Sequence, residues 1–151
     1  MEGYNKSYLF RRLQYGCGTE RFGGPAHHTK EIYTRLLQVV PNLRNIGTYA
    51  KLSASGFMDL HVDILNKNGD VWRIALAHNY KSGGDVIPDP DMEVTVDFDN
   101  ETAQAETYQD TYVYREANDE TSKRELNEVL LMWLGNLVEQ GQKMENSSST
   151  Q

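Results

Sequence analysis

Alternation of apolar and polar side chains is clearest across residues 57–98. Met58, Leu60, Val62 and Ile64 fall on one side of an extended chain, and Asp59, His61 and Asp63 on the other. That period of two belongs to a half-buried antiparallel strand. Residues 66–70 hold an Asn-Gly pair between two such runs and predict a turn. The return run sets Trp72, Ile74, Leu76 and His78 against Val71, Arg73, Ala75 and Ala77, and then Met92, Val94, Val96 and Phe98 alternate with Glu93, Thr95 and Asp97. Three one-sided strands require a cover for their apolar face.

Two helical stripes supply that cover. Ile32, Tyr33, Leu36, Leu37 and Val40 recur at three-and-four spacing behind Thr29 as N-cap, and Pro41 ends the run. Leu126, Val129, Leu130, Trp133, Leu134, Leu137 and Val138 hold one face for four turns behind a Ser122/Glu125 capping box, with Gly141 at the C-terminal end. Residues 48–53 read as a short strand pairing with the next. Residues 102–114 read as one bent strand or two, with Tyr108, Tyr112 and Tyr114 in phase; cross-strand aromatic packing is the usual cause of such a row. The expected fold is α+β: a single antiparallel sheet of about five strands covered by an N-terminal and a C-terminal amphipathic helix. Residues 1–29 read as an irregular, partly mobile arm, 30–141 as one domain and 142–151 as a disordered tail.

Composition changes this picture little. A chain of 151 residues with 38% hydrophobic and 25% charged content is one ordinary globular domain. No apolar run is long enough for a membrane span and no secretory signal is evident, so a cytoplasmic setting is expected. The single Cys17 cannot form an internal disulfide, which fits a reducing compartment. His27 and His28 have no third ligand at a sensible spacing and read as solvated loop residues.

Charge is informative by region. Residues 1–51 hold eight basic groups against three acids, 8 − 3 = +5, while residues 85–120 hold twelve acids against Arg115 alone, 1 − 12 = −11. A surface of that negative density repels phosphate backbones and attracts basic protein surfaces, so direct nucleic-acid binding is not expected and a basic partner is. The bland alternative is a solvated sheet face kept charged against aggregation.

The candidate site is the loop of residues 79–90, the least regular part of the sheet. Ser82-Gly83-Gly84 gives it backbone freedom, and Pro88 and Pro90 force extended geometry around Asp89. His78, Asp85, Asp89 and Asp91 offer imidazole and oxygen donors for a divalent cation or for acid/base chemistry, although the spacing is not that of a calcium loop. His78 also sits in phase with Trp72, Ile74 and Leu76, as a structural histidine would. Tyr80, Tyr108 and Asp110 complete the candidate binding set. No residue is assigned a catalytic or metal-ligand role, and no cofactor is implied.

Ser55-Gly56-Phe57-Met58-Asp59-Leu60, Ala77-His78-Asn79-Tyr80, Gly84-Asp85, Asp89-Pro90-Asp91-Met92 and Tyr108-Gln109-Asp110 with Tyr112 together resemble a bacterial family of unknown function carried on plasmids and integrative elements. The ending, Lys123, Glu125-Leu126-Asn127, Trp133-Leu134 and Gln140-Gly141, is similar to a second, chromosomal family of unknown function with the same helix, sheet, helix order. The likeness covers residues 30–141 and nothing of the arm. It implies an α+β fold, a bacterial or phage setting and, by association, accessory or anti-defence work; it supplies no activity. His61 lies outside the family pattern, which weakens any pairing of His61 with His78 in catalysis. Two functions follow: a non-enzymatic module binding a basic protein through an acidic sheet face, or a small metal-dependent or acid/base enzyme at residues 78–91. A homodimer through an exposed strand is compatible with either.

Overall fold

The computed structural model describes residues 26–82 and 85–144, with side chains at 27–78 and 90–144. After a 3-10 turn at Ala26–His28 comes α1 (Thr29–Val39), then β1 (Tyr49–Ser53), β2 (Leu60–Asn68), β3 (Val71–Ser82), β4 (Asp85–Asp97), β5 (Thr102–Gln109), β6 (Tyr114–Glu116), α2 (Glu120–Gln140) and β7 (Lys143–Met144). One seven-stranded antiparallel sheet runs in the order β6-β5-β4-β3-β2-β1-β7. The α+β class is as the alternation predicts, with seven strands where about five were expected.

The additional strands are β6, which the turn at Asp110 separates from β5, and β7; β3 and β4 differ from the expected strands in length. β3 and β4 run through residues 79–90, because a register shift between Ala77 and Asn79 lets β4 carry an extra residue there. Proline cannot donate to a ladder, and a bulge admits it without breaking the pairing on either side. What reads as a loop with two prolines is therefore the far end of a long hairpin. Between β2 and β3 the turn narrows to Gly69-Asp70, with Gly69 at φ 63°. At the other edge, Lys143–Met144 pairs with Leu52 and Ser53 of β1, and Gln142 is buried, its Nε2 donating to the Met58 carbonyl at 3.1 Å. Three residues of the stretch read as tail thus belong to the fold. Residues 1–25 of the expected arm, with Cys17, lie outside the described residues.

The helix starts also move. His28, in left-handed conformation, occupies the N-cap position of α1 without a side-chain cap bond, and Thr29 is the first residue of the helix. Asp119 caps α2 from an extended backbone, its carboxylate accepting the Ser122 amide at 2.8 Å while the Ser122 hydroxyl accepts the Asp119 amide at 3.1 Å. The capping box is real but begins three residues earlier than the Ser/Glu spacing implies. Gly141 closes α2 at φ 77°, as expected.

Both helices pack on the same side of the sheet. Ile32 and Leu36 of α1 and Leu126, Leu130, Trp133 and Leu137 of α2 join Leu52, Leu60, Val62, Ile74, Leu76, Met92, Val94 and Val96 in one buried core. Each large side chain so buried contributes on the order of 1.5–3 kcal/mol. The opposite side of the sheet has no cover among the described residues.

Candidate functional site

Register decides which polar side chains become neighbours on the uncovered face. Tyr49 lies opposite Asp63, Asp63 opposite Ala75, Ala75 opposite Glu93, Glu93 opposite Thr107 and Thr107 opposite Glu116. A second row runs Lys51, His61, Ala77, Asp91, Gln109, Tyr114. Ala75 and Ala77 give the middle of the face a shallow floor, because their side chains end at Cβ while their neighbours stand taller.

Acidic groups surround that floor. Arg73 is held by Glu93, with Nη2 at 2.9 Å from Oε1. Glu106, the extra residue where the β4–β5 register shifts, accepts from Thr95 Oγ1 at 2.7 Å and Gln104 Nε2 at 3.3 Å. Partial burial pushes the Asp91 carboxyl above its ordinary value, and the charges of Glu93 and Asp63 push it further. On the flanks, Tyr49 stacks on His61 with ring centroids 6.0 Å apart and shares a 2.6 Å hydrogen bond with its Nδ1. Tyr114 donates to Glu116 at 3.0 Å, and that bond holds its phenol above the usual range.

Of the residues singled out from the sequence, those with described side chains divide: Tyr108 and Asp110 meet, while His78 and Asp91 lie on opposite sides of the sheet. His78 is on the core side, 5% exposed, its ring edge-on to Trp133 at 5.5 Å. Its Nδ1 lies 2.9 Å from the Asp59 carbonyl, which can only accept, so that nitrogen carries a proton. Asp91 faces the uncovered side, so the sheet stands between it and His78. Tyr108 is fully buried, and its hydroxyl donates to Asp110 Oδ2 at 2.6 Å. The other oxygen of Asp110 accepts the amides of Tyr112 and Val113, at 2.7 and 3.0 Å, and so shapes the β5–β6 turn. The side chains of Tyr80, Asp85 and Asp89 lie outside the described residues. Among the described residues, no three His, Cys, Asp or Glu side chains are grouped as a metal site, and no helix is long and apolar enough to cross a membrane.

Tyr49, His61, Asp63, Arg73, Glu93 and Tyr114 share one surface that no local pattern in the sequence marks. Their polar phase within each strand was visible, and their adjacency across strands was not.

Residues 31–143 match the family described as a domain of unknown function, DUF6908. The chain belongs to that family. The match begins in α1 and ends in β7, so both helices and all seven strands are part of the DUF6908 domain. No curated protein and no solved structure matches the chain.

Proposed function

We propose that this DUF6908 domain is a non-enzymatic protein-binding module that docks a basic partner surface on the uncovered face of its sheet. The observation that carries the reading is the one-sided cover among the described residues: the helices shield one face, while the other carries Asp63, Asp91, Glu93, Glu106 and Glu116 against Lys51 and Arg73. Charge complementarity selects the occupant. A field of this sign attracts Lys and Arg and repels a phosphate backbone. In the setting implied by the sequence resemblance, a bacterial mobile element, such a module acts in the cytoplasm as a blocker or adaptor of a basic host protein.

The test is binding of a fluorescent Arg-rich peptide to the full chain and to an Asp63→Asn/Asp91→Asn/Glu93→Gln variant with an unchanged far-ultraviolet spectrum. Affinity is expected to fall in the variant. It should also fall for the native chain as salt rises from about 0.01 M to about 1 M, which shortens the screening length from about 30 Å to about 3 Å. Binding indifferent to both, or equal binding of an acidic peptide, refutes the reading.

A further inference from the structure

β6 ends the sheet on one side and spans three residues, Tyr114–Glu116. Its register fixes where each peptide group points. The Asp110 amide donates to Val113 O at 3.0 Å and the Ala117 amide to Glu106 O at 2.9 Å. Between these bonds Tyr114, Arg115 and Glu116 stand opposite Gln109, Tyr108 and Thr107. In an antiparallel ladder, residues bonded to the neighbouring strand alternate with residues whose peptide groups face away. Val113, Arg115 and Ala117 therefore turn inward to β5, and Tyr114 and Glu116 turn outward. The Glu116 carbonyl is taken by the Asn118 amide at 3.0 Å. That leaves the amide and carbonyl of Tyr114 and the amide of Glu116 on the edge, with no backbone partner among the described residues.

The side chains along this edge are those of the acidic face. Tyr114 is 55% exposed and linked to Glu116; the Glu93–Arg73 pair, on the strands beyond β5, acts on its phenol with both signs of charge. On the helix side of the edge, Arg115 is already engaged by Glu125.

We propose that a basic segment of the partner adds to the sheet as a further strand, antiparallel to β6, pairing its backbone with Tyr114 and Glu116 and laying Lys or Arg side chains beside Tyr114 and Glu116. The inference rests on the basic-partner reading and adds the place and manner of docking. A side chain directly across from Glu116 comes within about 5 Å of it, so an opposite charge is favoured there and a like charge is not. A second copy of β6 brings its own Glu116 to the same acidic edge, and that argues against self-pairing. The three peptide groups without a backbone partner among the described residues give the added strand its backbone bonds, and Glu116 selects its sequence.

Alternating Arg-Thr peptides, capped at both ends, test this with the protein unaltered. One is unmodified, one carries N-methyl groups on every Arg amide, and one on every Thr amide. Residues across from Tyr114 and Glu116 share their face and point their own amides at β6; in this pairing they are the arginines. By anisotropy, the unmodified and Thr-methylated peptides should bind alike, and the Arg-methylated peptide about tenfold or more weakly, as expected for lost backbone hydrogen bonds. Equal binding of the two methylated peptides overturns strand addition and leaves docking on the face by charge. Loss on Thr methylation alone overturns it as well. No binding of any peptide at low salt removes the basic-partner reading, and this one with it. A chain that is dimeric without peptide and monomeric as Tyr114→Pro places a second copy on this edge and also overturns the proposal; proline there removes an outward amide and leaves the β5 pairing intact.

Discussion

Asn127 reaches from the middle of α2 to the sheet, its Oδ1 accepting the Ala105 amide at 2.7 Å. Ala105 sits where the β4–β5 register shifts, and the shift turns a strand amide toward the helix. Both residues are buried. Asn127→Ala leaves that amide unsatisfied in the core and should cost about 1–3 kcal/mol in urea unfolding. A loss below about 0.5 kcal/mol, the usual bound for surface changes, refutes the role given to Asn127.

Trp133 closes the core against His78 and is 1% exposed. Trp133→Ala should cost roughly 3–5 kcal/mol, because the hole cannot collapse between a helix and a seven-stranded sheet. Equilibrium unfolding gives the number; a value near 1 kcal/mol would mean that α2 does not rest on this contact.

Gly135 carries a different expectation. A Cβ there would lie 2.9 Å from Arg35 Nη1, which donates to the Leu131 carbonyl at 3.1 Å. Alanine in a helix interior gains about 1 kcal/mol over glycine. Gly135→Ala should yield that gain only when Arg35→Ala is also present, and less in the native background, where the guanidinium is displaced. A double-mutant cycle with no coupling between the two positions rejects the account.

Asp91 and Asp119 should move stability in opposite directions with pH. Asp91 is raised by burial, with Glu93 and Asp63 adding to it. A carboxyl whose folded pKa exceeds its unfolded one favours folding when protonated; that contribution is complete below the ordinary aspartate range and lost as pH rises through the folded value. Asp119 is lowered by the Ser122 amide and hydroxyl, so its contribution is present above the ordinary range and lost as pH falls through its folded value. Asp91→Asn should therefore raise the melting temperature at neutral pH, and the advantage should vanish below about pH 4. Asp119→Ala should lower it at neutral pH, with the deficit shrinking on acidification. Melts in which both variants track the native chain with the same sign contradict the assignment.

Much of the fold was legible because strands with one buried side advertise it residue by residue. Met58 to Ile64, Trp72 to His78 and Met92 to Phe98 alternate in the sequence, and their buried members form the sheet side of the core. His78 was in phase with Trp72, Ile74 and Leu76 and lies on their side of the sheet. What could not be read depends on pairing. Pro88 and Pro90 signal a break to any local rule, yet Pro90 falls at the extra residue of β4 and Pro88 stays in register opposite Asn79. Lys143–Met144 is too short for a period of its own and becomes a strand because β1 is there to meet it. The polar row across the sheet has the same origin. Asp63, Glu93 and Glu116 are far apart in sequence, and shifts near Leu65, Pro90 and Glu106 decide which of them share a row.

The pairing of β7 with β1 has a consequence for how the chain is made. β1 lies near the start of the domain, and the strand that covers its outer side comes after all the others. During synthesis the helix and hairpins can assemble in order as they emerge, yet the pairing of β7 with Leu52 and Ser53 forms only once Lys143 and Met144 have left the ribosome. This last ladder is thus a late event, and a nascent chain halted at the end of α2 lacks it.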